Sequence, residues 1–194
     1  MPDHTSPTIT KSGYLLRILL QSRNDSECCI KIQLKQAGKT MVEISYNSVM
    51  DVTTSWDRLK HIKNYHQIAG EIIFCRVFEI EPAARKLFKF SNDEDIRKNP
   101  NFSRHANQMV DMIDCAVAFL GPDMEPLKAE LMHLGERHIA YGVDAKYLPL
   151  MEKAVEYALE ELLGDKFTRV QRNSWQEVFY YMVQQMTAGM EQMS

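Results

Sequence analysis

The chain has 194 residues, of which 45% are hydrophobic and 25% charged, enough to fill the core of one globular domain with a tail or small appendage to spare. A formal charge of −3 and a pI near 6.1, with lysine and arginine interleaved among acids, supply no basic footprint, so neither nucleic acid nor an anionic membrane is an expected partner. No apolar run reaches the roughly 18 to 20 residues that cross a bilayer, since even Tyr14-Leu15-Leu16-Arg17-Ile18-Leu19-Leu20 is short and holds an arginine.

Residues 1–48 read as an N-terminal extension distinct from the rest. The first ten carry an acid and prolines rather than a basic cluster, and no small-residue cleavage site follows the apolar run, so a signal peptide is not expected. Ile30, Ile32 and Leu34 alternate with Lys31, Gln33 and Lys35, and after Ala37-Gly38 the segment Val42-Glu43-Ile44-Ser45-Tyr46 alternates again. Period two predicts strands, hence a short β-hairpin. A lone hairpin is marginal in water, so it must dock on the helical body, pair with another chain, or remain partly disordered.

From about Val52 onward apolar residues recur at helical spacing, and the chain reads as all-α. The pattern predicts helices over 52–64 and 67–80, a short turn over 82–88, then helices over 100–119, 126–141, 145–163 and 168–190. Pro82, Pro100 and Pro126 suit first turns, where a missing N–H costs nothing, and Asn99 can cap the helix that Pro100 opens. Thr168-Arg169-Val170-Gln171 has the capping-box pattern, and Gly164 ends the helix before it.

Cys28, Cys29, Cys75 and Cys115 show no CxxC or CxxCH spacing, which disfavours a zinc knuckle, a thioredoxin motif or a covalently attached porphyrin. Ordinary thiols in a reducing cytoplasm are expected, with Cys75 and Cys115 buried and free.

On the helix over 100–119, Phe102, His105, Met109, Met112 or Ile113, Ala116 and Phe119 follow at steps of three or four, so His105 lies on the apolar stripe. Leu127, Leu131, Leu134, His138 and Tyr141 do the same on the next helix, which stops at Gly142. His133, His61, His66 and His4 do not share this placing. One inward histidine is usually a core residue bonded to a carbonyl. Two on consecutive helices, 33 residues apart, would each cost about 1–3 kcal/mol if unpaired, and a metal or cofactor between them would satisfy both. Few cysteines and no inward Glu-x-x-His repeats disfavour zinc or a di-iron centre. A flat, apolar cofactor ligated by imidazole fits better.

Leu134-Gly135-Glu136-Arg137-His138-Ile139-Ala140-Tyr141-Gly142-Val143 resembles the proximal-histidine segment of neuroglobin-like globins, and Phe102-Ser103-Arg104-His105 resembles their distal segment. Leu87-Phe88-Lys89-Phe90 is similar to the corner where a globin phenylalanine lies on the haem. Trp56, Phe74, the run Leu163-Gly164-Asp165-Lys166-Phe167-Thr168 and Trp175 are in register, and Gly70 and Ala106 are small where two globin helices cross. The resemblance spans about Val52 to Met190, roughly three quarters of the chain. It implies an all-α globin fold, a three-over-three helical sandwich, over residues 49–194. Phe90 stands where the vertebrate relatives have a tyrosine. Met109 replaces a smaller branched residue, which narrows the ligand pocket, and no cysteine pair lies between Ser91 and Asn99.

The resemblance further implies haem b (iron protoporphyrin IX), His138 as its proximal ligand and His105 on the opposite face. His105 either hydrogen-bonds a bound gas or occupies the sixth position itself, and the resemblance favours the second at rest. Phe74, Phe88, Phe102, Met109, Leu134, Val143, Leu148 and Met151 face the haem by family position, and Gln108, Arg104 and Arg137 reach propionates or solvent. Three functions suit such a centre: reversible binding of O2, NO and CO, which is the leading reading; NO dioxygenation or nitrite reduction; or redox or gas sensing through movement of His105. No G-x-G-x-x-G follows a strand, so turnover would need a separate reductase. A monomer or weak homodimer is expected.

Overall fold

The computed structural model describes residues 44–88 and 95–193 in full, together with the backbone of strands at 8–9, 15–20, 30–36 and 39–40. The chain divides into two compact units, Met1–Glu43 and Ile44–Ser194.

In the first unit β1 (Thr8–Ile9), β2 (Leu15–Leu20), β3 (Ile30–Gln36) and β4 (Lys39–Thr40) form an antiparallel sheet in sequential order. The register sets Leu16 opposite Leu34, Ile18 opposite Ile32 and Leu20 opposite Ile30. This corrects the hairpin expected between 30–35 and 42–46. The strand at 30–36 forms, but its long partner is β2, and among the described residues beyond Ala37-Gly38 Lys39–Thr40 pairs back, while Val42 and Glu43 lie outside the described residues. The alternation at 42–46 is cut short because Ser45 caps a helix: its hydroxyl accepts from the Ser48 N–H at 3.0 Å, so Tyr46 is already helical.

The second unit is helical: α1 (Tyr46–Lys60), α2 (Tyr65–Ile80), α3 (Pro100–Ala118), α4 (Glu125–Ala140), α5 (Leu148–Leu163) and α6 (Arg169–Gln192). The first helix starts earlier and ends earlier than its apolar pattern suggests. Glu177 of α6 explains the start, since its carboxylate accepts from the Ser45 N–H at 3.0 Å and from the Ser48 hydroxyl. Asn64 explains the end, because its backbone turns left-handed (φ 60°) to open α2, a conformation asparagine tolerates better than most residues. Other boundaries follow the sequence signals. The Asn99 side chain accepts from the Asn101 N–H at 2.8 Å, and Thr168 and Gln171 form the reciprocal capping box. Gly164 ends α5 at φ 53°.

The core joins Val52, Trp56 and Leu59 of α1 to Phe74, Phe102, Val110, Val155, Leu159, Trp175 and Val178 from the other helices. Trp56 and Trp175 meet edge to face at 5.6 Å, and their N–H groups are both satisfied. Trp175 donates to the Ser55 hydroxyl at 2.9 Å and Trp56 to Asp114 Oδ1 at 2.6 Å. Two close crossings fix the helices that carry His105 and His138. A Cβ on Gly70 would lie 2.8 Å from the Ala106 carbonyl oxygen, so α2 crosses α3 nearly backbone to backbone. A Cβ on Gly135 would lie 2.0 Å from the Met186 oxygen, and one on Gly189 would lie 2.0 Å from the Met132 oxygen. The two glycines thus clamp α4 to α6 reciprocally. Among the described residues no helix is long and apolar enough to cross a membrane.

Candidate functional site

Four features place His138. Leu127 and Leu131 bury one face of α4, the Gly135 crossing fixes its depth, and the last turn closes with two backbone bonds. The Gly142 N–H reaches the Ile139 oxygen at 2.9 Å and the Val143 N–H reaches the oxygen of His138 itself at 3.0 Å, with Gly142 at φ 82°. That is the Schellman pattern, and only glycine enters it without strain. The fourth feature is the bond between His138 Nδ1 and the Leu134 oxygen at 2.8 Å. A carbonyl can only accept, so Nδ1 carries a proton, and in the neutral ring Nε2 is the nitrogen left to present a lone pair.

His105 sits one turn into α3, half-buried, behind the Asn99 cap and Pro100. Its ring centroid is 5.1 Å from that of Phe74 and 5.2 Å from that of Phe88, and Phe74 also meets Phe88 at 5.7 Å and Phe102 at 6.2 Å. Phe88 arrives there because the turn at Pro82–Leu87 is capped by Glu81, whose carboxylate accepts from the Ala83 N–H at 3.1 Å. Among the described residues His105 makes no hydrogen bond. Burial, and then the charge of His138, hold its imidazole below the usual value. Both effects favour the neutral form of the His105 ring, which keeps a lone pair. Two imidazoles on consecutive helices, one with a nitrogen already engaged by a carbonyl and the other in an aromatic wall with no hydrogen bond among the described residues, are groups that could hold a porphyrin iron.

The remaining expected positions divide. Phe74, Phe102 and Leu148 are buried, while Phe88, Met109, Leu134, Val143 and Met151 are half-buried. Val143 also lines a cleft of about 420 Å³ with Ile139, Ala145, Thr187 and Met190 on the α6 side of the corner. Arg104, Gln108 and Arg137 are exposed, and Phe90 lies outside the described residues. Two expectations are corrected. Tyr141 is 72% exposed, because α4 ends one residue before it, and it is not part of the inward stripe. Cys115 is exposed, not buried, since it lies two residues from Ile113 and about 200° away around α3.

The globin family model matches residues 71–186 of this chain, which span α2 through most of α6 and include both histidines. The chain belongs to the globin family. Within it the chain is neuroglobin-like. It is 31% identical to a neuroglobin of Danio rerio over 142 residues, covering 71% of this chain and 87% of the relative. It is 30% identical to neuroglobin-1 of Oncorhynchus mykiss over the same length, with the same coverage. Its fold also resembles the crystal structure of a hexacoordinated haem protein from an anhydrobiotic tardigrade, at TM-score 0.70 and 19% identity, covering 77% of this globin and 97% of that chain.

One cluster escaped sequence reasoning. His66, Asp111 and Asp114 converge between α2 and α3. The i, i+3 pair of aspartates is legible in the sequence, but its histidine lies 45 residues before Asp111, and only the α2–α3 crossing brings them together.

Proposed function

We propose that this globin holds haem b between His138 and His105 and reversibly binds O2, NO and CO, with His105 on the iron at rest. The observation that carries the reading is the placing of the two imidazoles, His138 oriented by the Leu134 carbonyl and His105 set between Phe74 and Phe88 with no hydrogen bond among the described residues. The haem iron supplies the gas-binding centre when bound. His138 anchors through Nε2, and the Leu134 carbonyl fixes its tautomer and ring plane. Among the described residues His105 is held by ring packing, edgewise by Phe88 and inclined to Phe74, with no hydrogen bond to break before it turns away. An incoming gas then competes with an internal ligand. Each roughly 1.4 kcal/mol by which the closed position of His105 is favoured lowers apparent gas affinity about tenfold. The phenylalanines exclude water from that face, and Met109, a step of four beyond His105, narrows the space above it. The globin is expected to act as a monomer or weak homodimer in a reducing cytoplasm.

Titrating the apoprotein with hemin tests this. One equivalent is expected to bind with a sharp Soret band, and His138→Ala is expected to lose tight binding while keeping its helical circular dichroism. A colourless wild type, or an alanine variant that retains pigment as tightly, refutes the reading.

A further inference from the structure

A second set of metal-ligating side chains lies away from the two imidazoles above, where α2 begins and α3 nears its end. His66 Nε2 is 3.2 Å from Asp111 Oδ1 and 3.1 Å from Asp114 Oδ2, and the three ligand atoms all lie within 4.8 Å of one another. One imidazole N–H can point at one oxygen at a time, so the second carboxylate gains only charge attraction. A divalent cation in place of that proton engages both carboxylates and the ring. The spacing suits it. Ligands about 2.0 Å from a tetrahedral zinc ion stand about 3.3 Å from each other, within about 0.2 Å of the 3.2 and 3.1 Å found here.

The support around Asp114 is independent of this spacing. Its Oδ1 accepts from the indole of Trp56 at 2.6 Å, and Trp56 is 1% exposed. Its Oδ2 accepts from the Tyr65 hydroxyl at 2.7 Å as well as from His66. A carboxylate held by core donors on both oxygens is the outer-shell arrangement that orients a metal ligand and lowers the reorganisation needed to bind. Replacing the His66 proton by a cation leaves the Trp56 and Tyr65 bonds in place. Asp111 is 62% exposed at its side chain, so the remaining coordination positions open to water.

We propose that His66, Asp111 and Asp114 form a surface site for a divalent transition ion of the zinc class, clamping α2 to α3. Imidazole together with two carboxylates selects such ions over Mg2+ and Ca2+, which prefer all-oxygen sets. The site is separate from the haem pair in residues and in chemistry.

Isothermal titration of Zn2+ into the haem-saturated chain tests the proposal, with His66→Gln and Asp111→Asn locating the site whatever the state of His105 and His138. Both substitutions fall on exposed or half-exposed positions, and a circular dichroism melt checks that each variant folds. One saturable ion per chain is expected. Either substitution weakens it at least about tenfold, or roughly 1.4 kcal/mol. His133→Gln, which disturbs only the exposed His133–Glu136 pair, leaves it unchanged, as does excess Mg2+. Zn2+ also raises the melting temperature of the parent and not of Asp111→Asn. No saturable uptake, or uptake that survives either substitution at full affinity, overturns the three-ligand site.

Discussion

Adding one methyl group at Gly135 sets two physical effects against each other. An alanine inside a helix is favoured over glycine by about 1 kcal/mol, so propensity alone predicts a more stable protein. The α4–α6 crossing predicts the reverse, because the new Cβ would lie 2.0 Å from the Met186 oxygen and 2.8 Å from its carbonyl carbon. Both are backbone atoms, so no side chain can swing aside. Moving from 2.0 Å to the 3.4 Å of ordinary contact requires about 1.4 Å of helix displacement, and Gly189 on the same crossing has as little room. Overpacking costs typically about 1–3 kcal/mol, and a backbone-on-backbone clash belongs at the top of that range. The net expectation is a loss of about 1–2 kcal/mol after the propensity gain. His138 lies one turn further along α4, so the same displacement shifts it from the position the crossing fixes and is expected to speed haem loss. Urea denaturation of the apoprotein reads the first effect, and haem transfer to an excess of a competing apoglobin reads the second. Gly121→Ala, where nothing lies within 4 Å, is the control and is expected within about 0.5 kcal/mol of the parent. A Gly135→Ala protein as stable as the parent, or more so, refutes the clamp.

Other expectations follow from single contacts. Thr168→Ala removes the capping box of α6 and is expected to lower unfolding free energy by about 1 kcal/mol in a urea titration, with no change in the visible spectrum of the haem-loaded protein. Trp56→Phe takes the indole donor from Asp114 and thins the contact with Trp175; a loss of about 2–4 kcal/mol is expected, and a loss under 1 would show that the indole bond counts for little. Burial, then the charge of Glu156, raise the Glu152 carboxyl above its ordinary 4.5. The folded state therefore holds that proton more tightly than the unfolded one, so stability from this group is complete below pH 4.5 and is lost as pH rises through the folded value. Glu152→Gln is accordingly expected to be more stable than the parent at pH 7 and equal to it near pH 4, by urea midpoints at both; equal midpoints at pH 7 would contradict this. His105→Leu removes the internal competitor and is expected to raise CO affinity at least about tenfold, read by flash photolysis, with haem still bound through His138.

Much of the helical framework around the two histidines was legible because it is written at helical spacing. Steps of three and four put His105 and His138 beside buried positions, where both are half-buried, and Asn99-Pro100, the Thr168 box and Gly164 mark helix ends by rules that depend only on neighbours in sequence. Gly70 and Ala106 were readable as a crossing through the family resemblance. What stayed hidden depends on partners far along the chain. Glu177 settles where α1 begins, 132 residues from the serine it grips, so the 42–46 alternation pointed to a strand that the cap cuts off. β2 pairs with β3 although its run of leucines shows no alternation. Gly135 and Gly189 carry an ordinary helix penalty until α4 and α6 are laid against each other. His66 has no inward stripe to reveal it, and its meaning comes from two aspartates on a different helix.

The visible spectrum of the ferrous, haem-loaded chain, taken under dithionite with no gas added, tests the central claim most directly. Two sharp, split bands are expected under the proposal that a second imidazole completes the iron's coordination, and they are expected to collapse in His105→Leu. A single broad band in the parent would place His105 off the iron and contradict the account of gas binding by displacement.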